Sequence, residues 1–327
     1  MSARILVVDD LEANRRLLEA KLSAEYYEVI TATRGEEGVQ RAKREKLDLI
    51  LLDVMMPGID GFETCRRLKA QAETRHVPVI IVTALDDRQS KVRALQAGAE
   101  DFLTKPIDDV ELMARVKSLL GLKVVIDELR AREASGKRLG VIEDGPDPIE
   151  RHRLRAGNVL LIDGNASQLK RMRAALGVEH RVTELAEAGA LDAGAPDLAI
   201  VAVGAKGFDG LRIIARMRSS EPTRHLPILA IVDPGDRERA LRALELGAHD
   251  IIARPVDEEE LVARARTLMR RKRYMDALRQ RLDHSLELAI TDQLTGLYNR
   301  RFLFTQLGPL VQRSQCGGNS VSVMTLD

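Results

Sequence analysis

The chain has 327 residues, enough for two or three domains. Hydrophobic residues make up 45% of it, but aromatic residues only 3%, and tryptophan is absent, so its cores must be aliphatic. A formal charge of +1 at pH 7 gives no general argument for binding nucleic acid, and no apolar run approaches the roughly 20 residues of a membrane-spanning helix.

The first residues lead directly into a predicted strand, without the basic start and apolar stretch of a signal peptide. Cys65 and Cys316 lie far apart in the sequence and lack metal-ligand spacing, which is typical of reduced thiols. We therefore predict a cytoplasmic protein with no membrane span and no nucleic-acid partner.

Four apolar runs near the amino terminus each end in a polar or charged side chain. They are followed, in chain order, by Asp9 and Asp10, by Asp53, by Thr83 and by Lys105. The runs read as buried parallel strands of a doubly wound α/β sheet, in which strand carboxyl ends converge on one crevice where ligands bind. A single acid in such a place often only caps a helix or starts a turn, but five matching side chains indicate a shared site.

These side chains suit a Mg²⁺-assisted site that accepts a phosphoryl group. Asp9, Asp10 and Asp53 offer the hard oxygens that Mg²⁺ prefers. Asp53 is the candidate nucleophile and would form an acyl phosphate. Lys105 offers a mobile ammonium to a phosphate oxygen, and Thr83 can hydrogen-bond the phosphorylated state and so report it.

Over roughly residues 1–121, these motifs resemble the receiver domain of two-component response regulators. The resemblance implies a flavodoxin-like fold and phosphorylation of Asp53 by a partner histidine kinase. It also implies that Mg²⁺ is bound by Asp9, Asp10, Asp53 and the backbone carbonyl of Met55.

The same resemblance implies switch roles for Thr83, Lys105 and Phe102. Phe102 falls at the family's aromatic switch position, and an ordinary core aromatic is the alternative interpretation. Tyr26 and Tyr27 read either as an interface anchor or as half-buried tyrosines at a sheet edge.

The chain also repeats itself at an interval of 149 residues. Thr74-Arg-His-Val-Pro78 recurs as Thr223-Arg-His-Leu-Pro227, and Gly-Ile-Asp-Gly61 recurs as Gly-Phe-Asp-Gly210. Internal repetition of this length predicts a second copy of the same fold.

The second copy lacks the reactive groups of the first. Ala202, Val232 and Arg254 stand at the positions of the nucleophile, the hydroxyl and the lysine, and the acidic pair is reduced to Asp163 followed by Gly164. We predict a degenerate receiver that cannot be phosphorylated and serves as an adaptor or dimerisation surface.

A long helix is predicted after the second copy. Residues 256–295 contain neither glycine nor proline, and about 33 helical residues starting after Pro255 would span roughly 50 Å. Mostly apolar residues at a 4-3 spacing predict that this helix packs against a partner beyond the receiver. The spaced positions are Leu261, Ala265, Leu268, Lys272, Met275, Arg279, Leu282, Leu286 and Ala289. The basic run 270–273 reads as a solvated helix face rather than a DNA contact.

The segment Asp292-Gln-Leu-Thr-Gly-Leu-Tyr-Asn-Arg-Arg301 resembles the opening motif of the GGDEF domain of diguanylate cyclases. The resemblance implies the start of an α+β domain, a sheet strand over 320–327, and a catalytic Mg²⁺ ligand at Asp327. The guanine-binding Gly-Gly-Glu-Glu-Phe hairpin of that family is not among the 327 residues.

We therefore predict a receiver with an extended last helix over 1–134, a linker over 135–157, a degenerate receiver over 158–270, a signalling helix over 271–290 and a GGDEF fragment over 291–327. Response regulators with this domain order imply phosphorylation-driven homodimerisation and, in the intact parent, condensation of two GTP molecules to cyclic di-GMP. A protein of these 327 residues alone is expected to be inactive as a cyclase. The alternatives are a catalytically silent, phosphorylation-dependent dimerisation module and, less favoured by the charge, a DNA-binding regulator.

Overall fold

The computed structural model describes residues 3–84, 88–138, 156–185, 196–204, 209–290, 295, 297–315, 322 and 324. Contacts divide the chain into two units, one of residues 1–126 with 149–274 and one of residues 127–148 with 275–327. Both receivers therefore lie within the first unit.

The first receiver is a parallel five-stranded sheet with the order β2-β1-β3-β4-β5. Its strands are β1 Arg4–Val8, β2 Glu28–Ala32, β3 Leu49–Asp53, β4 Val79–Thr83 and β5 Asp101–Thr104. Its helices are α1 Glu12–Ala24, α2 Gly35–Arg44, α3 Gly61–Ala70, α4 Arg88–Gln96 and α5 Asp109–Arg138. The central strands β3 and β4 are buried along their whole length, as expected of a parallel sheet covered on both faces.

The second receiver repeats this plan with the sheet order β10-β9-β8-β6-β7. Its strands are β6 Asn158–Ile162, β7 Arg181–Leu185, β8 Leu198–Ala202, β9 Ile228–Val232 and β10 Asp250–Ala253. Its helices are α6 Ala166–Gly177, α7 Gly210–Ser219, α8 Arg237–Glu245 and the first part of α9 Glu258–Ile290. The predicted tandem α/β sheets and long helix are confirmed, and the helix has the 33 residues expected from the sequence.

Two details of the sequence-based prediction are wrong. Helix α5 continues to Arg138, so residues 135–138 are helical rather than linker, because an established helix extends past a weak former such as Gly136. The early positions Leu261, Ala265 and Leu268 of α9 are buried in the core of the second sheet and do not form a free seam. At these three positions, the 4-3 spacing therefore reflects packing of α9 against its own receiver.

The second unit contains the end of α5, the rest of α9 and α10 Arg300–Gln315. Within it, Leu129 and Leu278 are buried, and Arg281 Nη1 lies 2.9 Å from Glu133 Oε1. The Asn299 side chain caps α10 by accepting a hydrogen bond of 2.9 Å from the Phe302 amide. Residues 139–155, most of the GGDEF-like motif, the predicted strand 320–327 and Asp327 lie outside the described residues, as do the side chains of Leu286 and Ala289.

Among the described helices, none is long and apolar enough to cross a membrane.

Candidate functional site

The candidate site lies at the carboxyl edge of the first sheet. Asp53 and Thr83 are the last residues of β3 and β4, while Asp9 and Lys105 follow β1 and β5 directly. The strands are paired in parallel, with Asp53 opposite Val82 and Thr83 opposite Thr104, so these ends meet at one edge. The expected convergence is therefore present.

Three carboxylates meet at this edge. One oxygen from each of Asp9, Asp10 and Asp53 lies within 4.8 Å of the others. Asp9 and Asp53 are only 2% and 5% exposed, so their negative charges are held close together and largely away from water. Such an arrangement is costly unless a cation accompanies it.

Lys105 provides one such cation. Its Nζ donates to Asp53 Oδ1 at 2.5 Å and to Asp9 Oδ2 at 3.0 Å. Although burial lowers the pKa of Lys105, the hydrogen bonds and charges of these two aspartates raise it above its ordinary value. The lysine therefore stays protonated at neutral pH and bridges the two carboxylates.

Asp53 behaves differently from an ordinary aspartate. Burial raises its pKa, the neighbouring charge of Asp9 adds to the increase, and Lys105 opposes it without cancelling it. The Met55 amide donates to Asp53 Oδ2 at 2.9 Å, which fixes the orientation of the carboxylate. The ionised form of Asp53 is thus less favoured here than in a free aspartate, and an added cation would favour it.

Sequence reasoning missed two residues of the first turns of α1. Asn14 Nδ2 donates to both oxygens of Asp9, at 3.1 and 2.9 Å, and Arg15 Nη1 donates to the Asp9 and Asp10 carbonyls at 2.7 and 2.9 Å. In the sequence, the only signal for these two residues was their position five and six residues after Asp9, at the start of the helix that follows β1. Both orient the acidic loop.

A glycine at the start of α3 lets this helix begin close to the end of β3. A Cβ on Gly61 would lie 2.2 Å from the Asp53 carbonyl oxygen, and a Cβ on Gly210 would lie 2.2 Å from that of Ala202. The helices that follow are capped alike, since Asp60 and Asp209 accept from the Glu63 and Arg212 amides at 2.7 and 3.1 Å. The second receiver has therefore kept the scaffold of the site.

The predicted switch residues reach from the site toward the second receiver. Thr83 is buried, and its carbonyl accepts a 2.8 Å hydrogen bond from the Lys105 amide. Phe102 is 7% exposed, and the Arg264 guanidinium of α9 lies 4.6 Å from its ring centre. Phe102 is therefore both a core aromatic and a contact between the receivers.

In the second receiver, an arginine fills the place of the lysine. Arg254 Nη2 lies 2.7 Å from Asp163 Oδ2, and Arg254 Nε lies 3.2 Å from Asp233 Oδ1. Ala202 is fully buried at the end of β8, and Val232 is buried at the end of β9. Asp233, which sequence reasoning missed, gives the guanidinium its second carboxylate. An internal ion pair therefore occupies this edge of the second sheet, and Ala202 offers no carboxylate there.

The two adjacent tyrosines differ. Tyr26 is 86% exposed and has a φ of 64°, whereas Tyr27 is partly buried against the core. Only Tyr27 fits the description of a half-buried edge tyrosine. Tyr26 is an exposed aromatic in a backbone conformation that favours glycine.

Two parallel five-stranded sheets, one with a site of three acids and a lysine at its edge, define a tandem receiver protein. The chain belongs to the response regulator receiver domain family, whose model matches residues 5–117 and 159–266. Along its whole length it is similar to response regulator PleD from Caulobacter vibrioides, with 57% identity over 330 residues that cover 100% of this chain and 72% of PleD. The prediction of a response regulator with two receivers is thereby confirmed.

Two shorter relatives match a single receiver. Protein PilH from Pseudomonas aeruginosa is 42% identical over 118 residues, which cover 36% of this chain and 98% of PilH. Among solved structures, the receiver domain of a P. aeruginosa sensor histidine kinase is 34% identical, with a TM-score of 0.36, and covers 37% of this chain and 99% of that domain.

Proposed function

We propose that the first receiver accepts a phosphoryl group on Asp53 from a partner histidine kinase. The observation that carries this proposal is the convergence of Asp53 with Asp9, Asp10 and Lys105 at one sheet edge. The membership of the chain in the response regulator family supports it. We also propose a cytoplasmic location. Burial raises the pKa of the Cys65 thiol to about 12, which makes this thiol unreactive.

The acid cluster fits Mg²⁺. Three hard oxygen donors within 4.8 Å of one another match the ligands that this ion prefers, and Asp9, Asp10, Asp53 and the Met55 carbonyl would hold it. When bound, Mg²⁺ supplies positive charge to the phosphoryl oxygens during transfer.

The chain's own residues then have distinct tasks. An oxygen of Asp53 forms a bond to phosphorus while the bond from phosphorus to the kinase imidazole breaks, and the electron pair stays on the departing ring. Asp9 and the Met55 amide hold the site in shape, and Lys105 exchanges its contact with the Asp53 carboxylate for one with a phosphoryl oxygen. Thr83, at the end of the adjacent strand, donates a hydrogen bond from its hydroxyl to an oxygen of the new phosphoryl group.

The second receiver acts as an adaptor in this proposal. Ala202 offers no nucleophile, and Arg254 already neutralises Asp163 and Asp233. Phe102 contacts Arg264 of the second receiver, and in this proposal a change at the Asp53 site is passed through this contact. We propose that the receivers of two chains form the dimer.

Sedimentation tests the coupling. Wild-type protein and Asp53→Asn are compared with and without a small phosphodonor and Mg²⁺, with Asp48→Asn at the other end of β3 as the matched control. We expect the donor to shift wild type and Asp48→Asn toward dimer and to leave Asp53→Asn unchanged. An unchanged distribution for wild type would reject phosphorylation-driven dimerisation.

We further propose that a parent chain with a complete GGDEF domain makes cyclic di-GMP from two GTP molecules, with Asp327 as a Mg²⁺ ligand. The opening motif at 292–301 supports this. A protein of only residues 1–327 should form no cyclic di-GMP from GTP and Mg²⁺, even when phosphorylated. In the longer parent, Asp327→Asn should abolish product and leave phosphorylation of Asp53 intact. Absence of product from the unsubstituted parent would instead favour a silent dimerisation module.

A further inference from the structure

A basic cavity of about 150 Å³ lies between the first receiver and α9, within the unit that holds both receivers. Its walls come from α3, the edge of the first sheet, α5 and α9. Five lysine and arginine side chains are among its described lining residues, namely Lys69, Arg75, Lys123, Arg270 and Arg271. Cations of two domains therefore surround one small space.

Arg271 is the unusual member of this set. Its Nε and one terminal nitrogen are buried and have no hydrogen-bond partner among the described residues. Burial lowers the pKa of the Arg271 guanidinium, and the charges of the surrounding carboxylates, Glu100 first among them, do not reverse this. A buried guanidinium with unused donors is unfavourable unless a ligand or water accepts from it.

The carboxylate at the cavity wall does not meet this need. Glu100 Oε2 accepts from Lys69 Nζ at 2.8 Å and from the Val79 amide at 2.7 Å. Although burial raises the pKa of Glu100, Lys69, Arg271 and Arg270 together hold it below its ordinary value. Lys69 is thus committed to Glu100 and does not supply an acceptor to Arg271.

We propose that this cavity binds a phosphate group, with Arg271 as the central donor and Arg270 and Arg75 as accompanying charges. A guanidinium presents paired donors that match the oxygens of phosphate. A volume of about 150 Å³ is large enough for several waters and admits a phosphate group. Because Arg75 lies in the first receiver and Arg270 and Arg271 lie on α9, a bound phosphate group would stabilise the contact between the two domains.

Thermal unfolding of the full chain tests the site. Inorganic phosphate, and in a second arm GMP, are titrated at constant ionic strength set with potassium chloride. Wild type is compared with Arg271→Met and with Arg266→Gln, a matched control on the same helix whose half-exposed side chain pairs with Glu179. We expect a saturable rise in Tm of several degrees for wild type and Arg266→Gln, and no such rise for Arg271→Met.

A response to phosphate alone identifies a free anion as the ligand, and a stronger response to GMP identifies a phosphate carried by a nucleotide. In buffer without phosphate, Arg271→Met should be no less stable than wild type, since it removes buried donors that have no hydrogen-bond partner among the described residues. If Arg271→Met fails to fold, Arg270→Gln takes its place and should weaken the response at least threefold. Equal responses in wild type and in the cavity variant, a rise without saturation, or no response in wild type would overturn the proposal.

Discussion

Asp101 of the first receiver and Arg264 of the second form an ion pair that is buried between the two domains, with Arg264 Nη1 3.3 Å from Asp101 Oδ1. The same nitrogen lies 2.5 Å from Asp250 Oδ2, and Arg115 pairs with Asp101 and lies 3.5 Å from Asp250. Positions 101 and 250, like 115 and 264, are equivalents in the 149-residue repeat. Each receiver thus supplies the same aspartate and arginine to a contact with internal two-fold character.

Replacing Arg264 with methionine should destabilise the receiver pair by about 3–5 kcal/mol, because two buried carboxylates would lose a shared cation. Urea unfolding of the full chain measures this. The control is Arg266→Met, whose partly exposed pair with Glu179 should contribute less than about 1 kcal/mol. Equal effects of the two substitutions would show that the buried network adds nothing specific.

The same network predicts an acid sensitivity. Burial raises the pKa of Asp101, but Arg115 and Arg264 outweigh burial and hold that pKa below its ordinary value. Because the pKa of Asp101 is lower in the folded state than in the unfolded state, its carboxylate stabilises the protein at pH values above the unfolded-state pKa of about 3.8. This stabilisation is lost as the pH falls through the folded-state pKa. Unfolding free energies of wild type and Asp101→Asn should therefore differ most near pH 7 and converge below about pH 4. A difference that grows on acidification would contradict the assigned direction.

Asp53→Asn should stabilise the metal-free first receiver at pH 7 by about 0.5–2 kcal/mol, a usual size for a stabilising substitution. The substitution removes a buried negative charge that is repelled by Asp9. The pKa of Asp53 is raised by burial and by Asp9, so the folded state binds its proton more tightly than the unfolded state does. Stability of wild type therefore falls as the pH rises through the interval between the two pKa values. The difference in unfolding free energy between Asp53→Asn and wild type, measured in EDTA, should therefore develop as the pH rises across that interval. A destabilised Asp53→Asn would mean that the contact with Lys105 outweighs the repulsion.

Lys105→Met should lower the stability of metal-free protein by about 1–3 kcal/mol, because Asp9 and Asp53 lose a shared hydrogen-bonded cation. Mg²⁺ should raise the Tm of this variant more than that of wild type, since the ion would replace the missing charge. Thermal unfolding in EDTA and in Mg²⁺ measures both effects. Lys117→Met, at an exposed pair with Glu25, should respond to Mg²⁺ as wild type does. A variant insensitive to Mg²⁺ would argue against a metal at the acid cluster.

Tyr26→Gly should leave the stability of the monomer within about 1 kcal/mol, since glycine suits the φ of 64° and the ring is exposed. If Tyr26 anchors the phosphorylation-dependent dimer, the same change should weaken dimerisation at least tenfold, or about 1.4 kcal/mol. Tyr27→Phe, which keeps the packed ring, is the control. Sedimentation equilibrium in the presence of the phosphodonor measures the dimerisation constant of each protein. Equal dimerisation by wild type and Tyr26→Gly would show that Tyr26 is not an interface anchor.

Much of the site was predictable because its signals are local. A strand that ends in Asp53 is visible as an apolar run followed by an acid, and the repeat placed Ala202 at the equivalent strand end without ambiguity. Asp233 and Asn14 were not predictable in this way, because their roles depend on the direction of a side chain across a loop. The early apolar positions of α9 were misassigned for a related reason, since a 4-3 spacing describes a helix face and does not identify what that face covers.

Incubation of the full chain with a small phosphodonor and Mg²⁺, followed by intact-protein mass spectrometry, tests the central claim most directly. We predict one phosphoryl group on wild type and on Asp163→Asn, a substitution in the second receiver, and none on Asp53→Asn. Two groups on wild type, or any group on Asp53→Asn, would contradict the assignment of Asp53 as the phosphoacceptor.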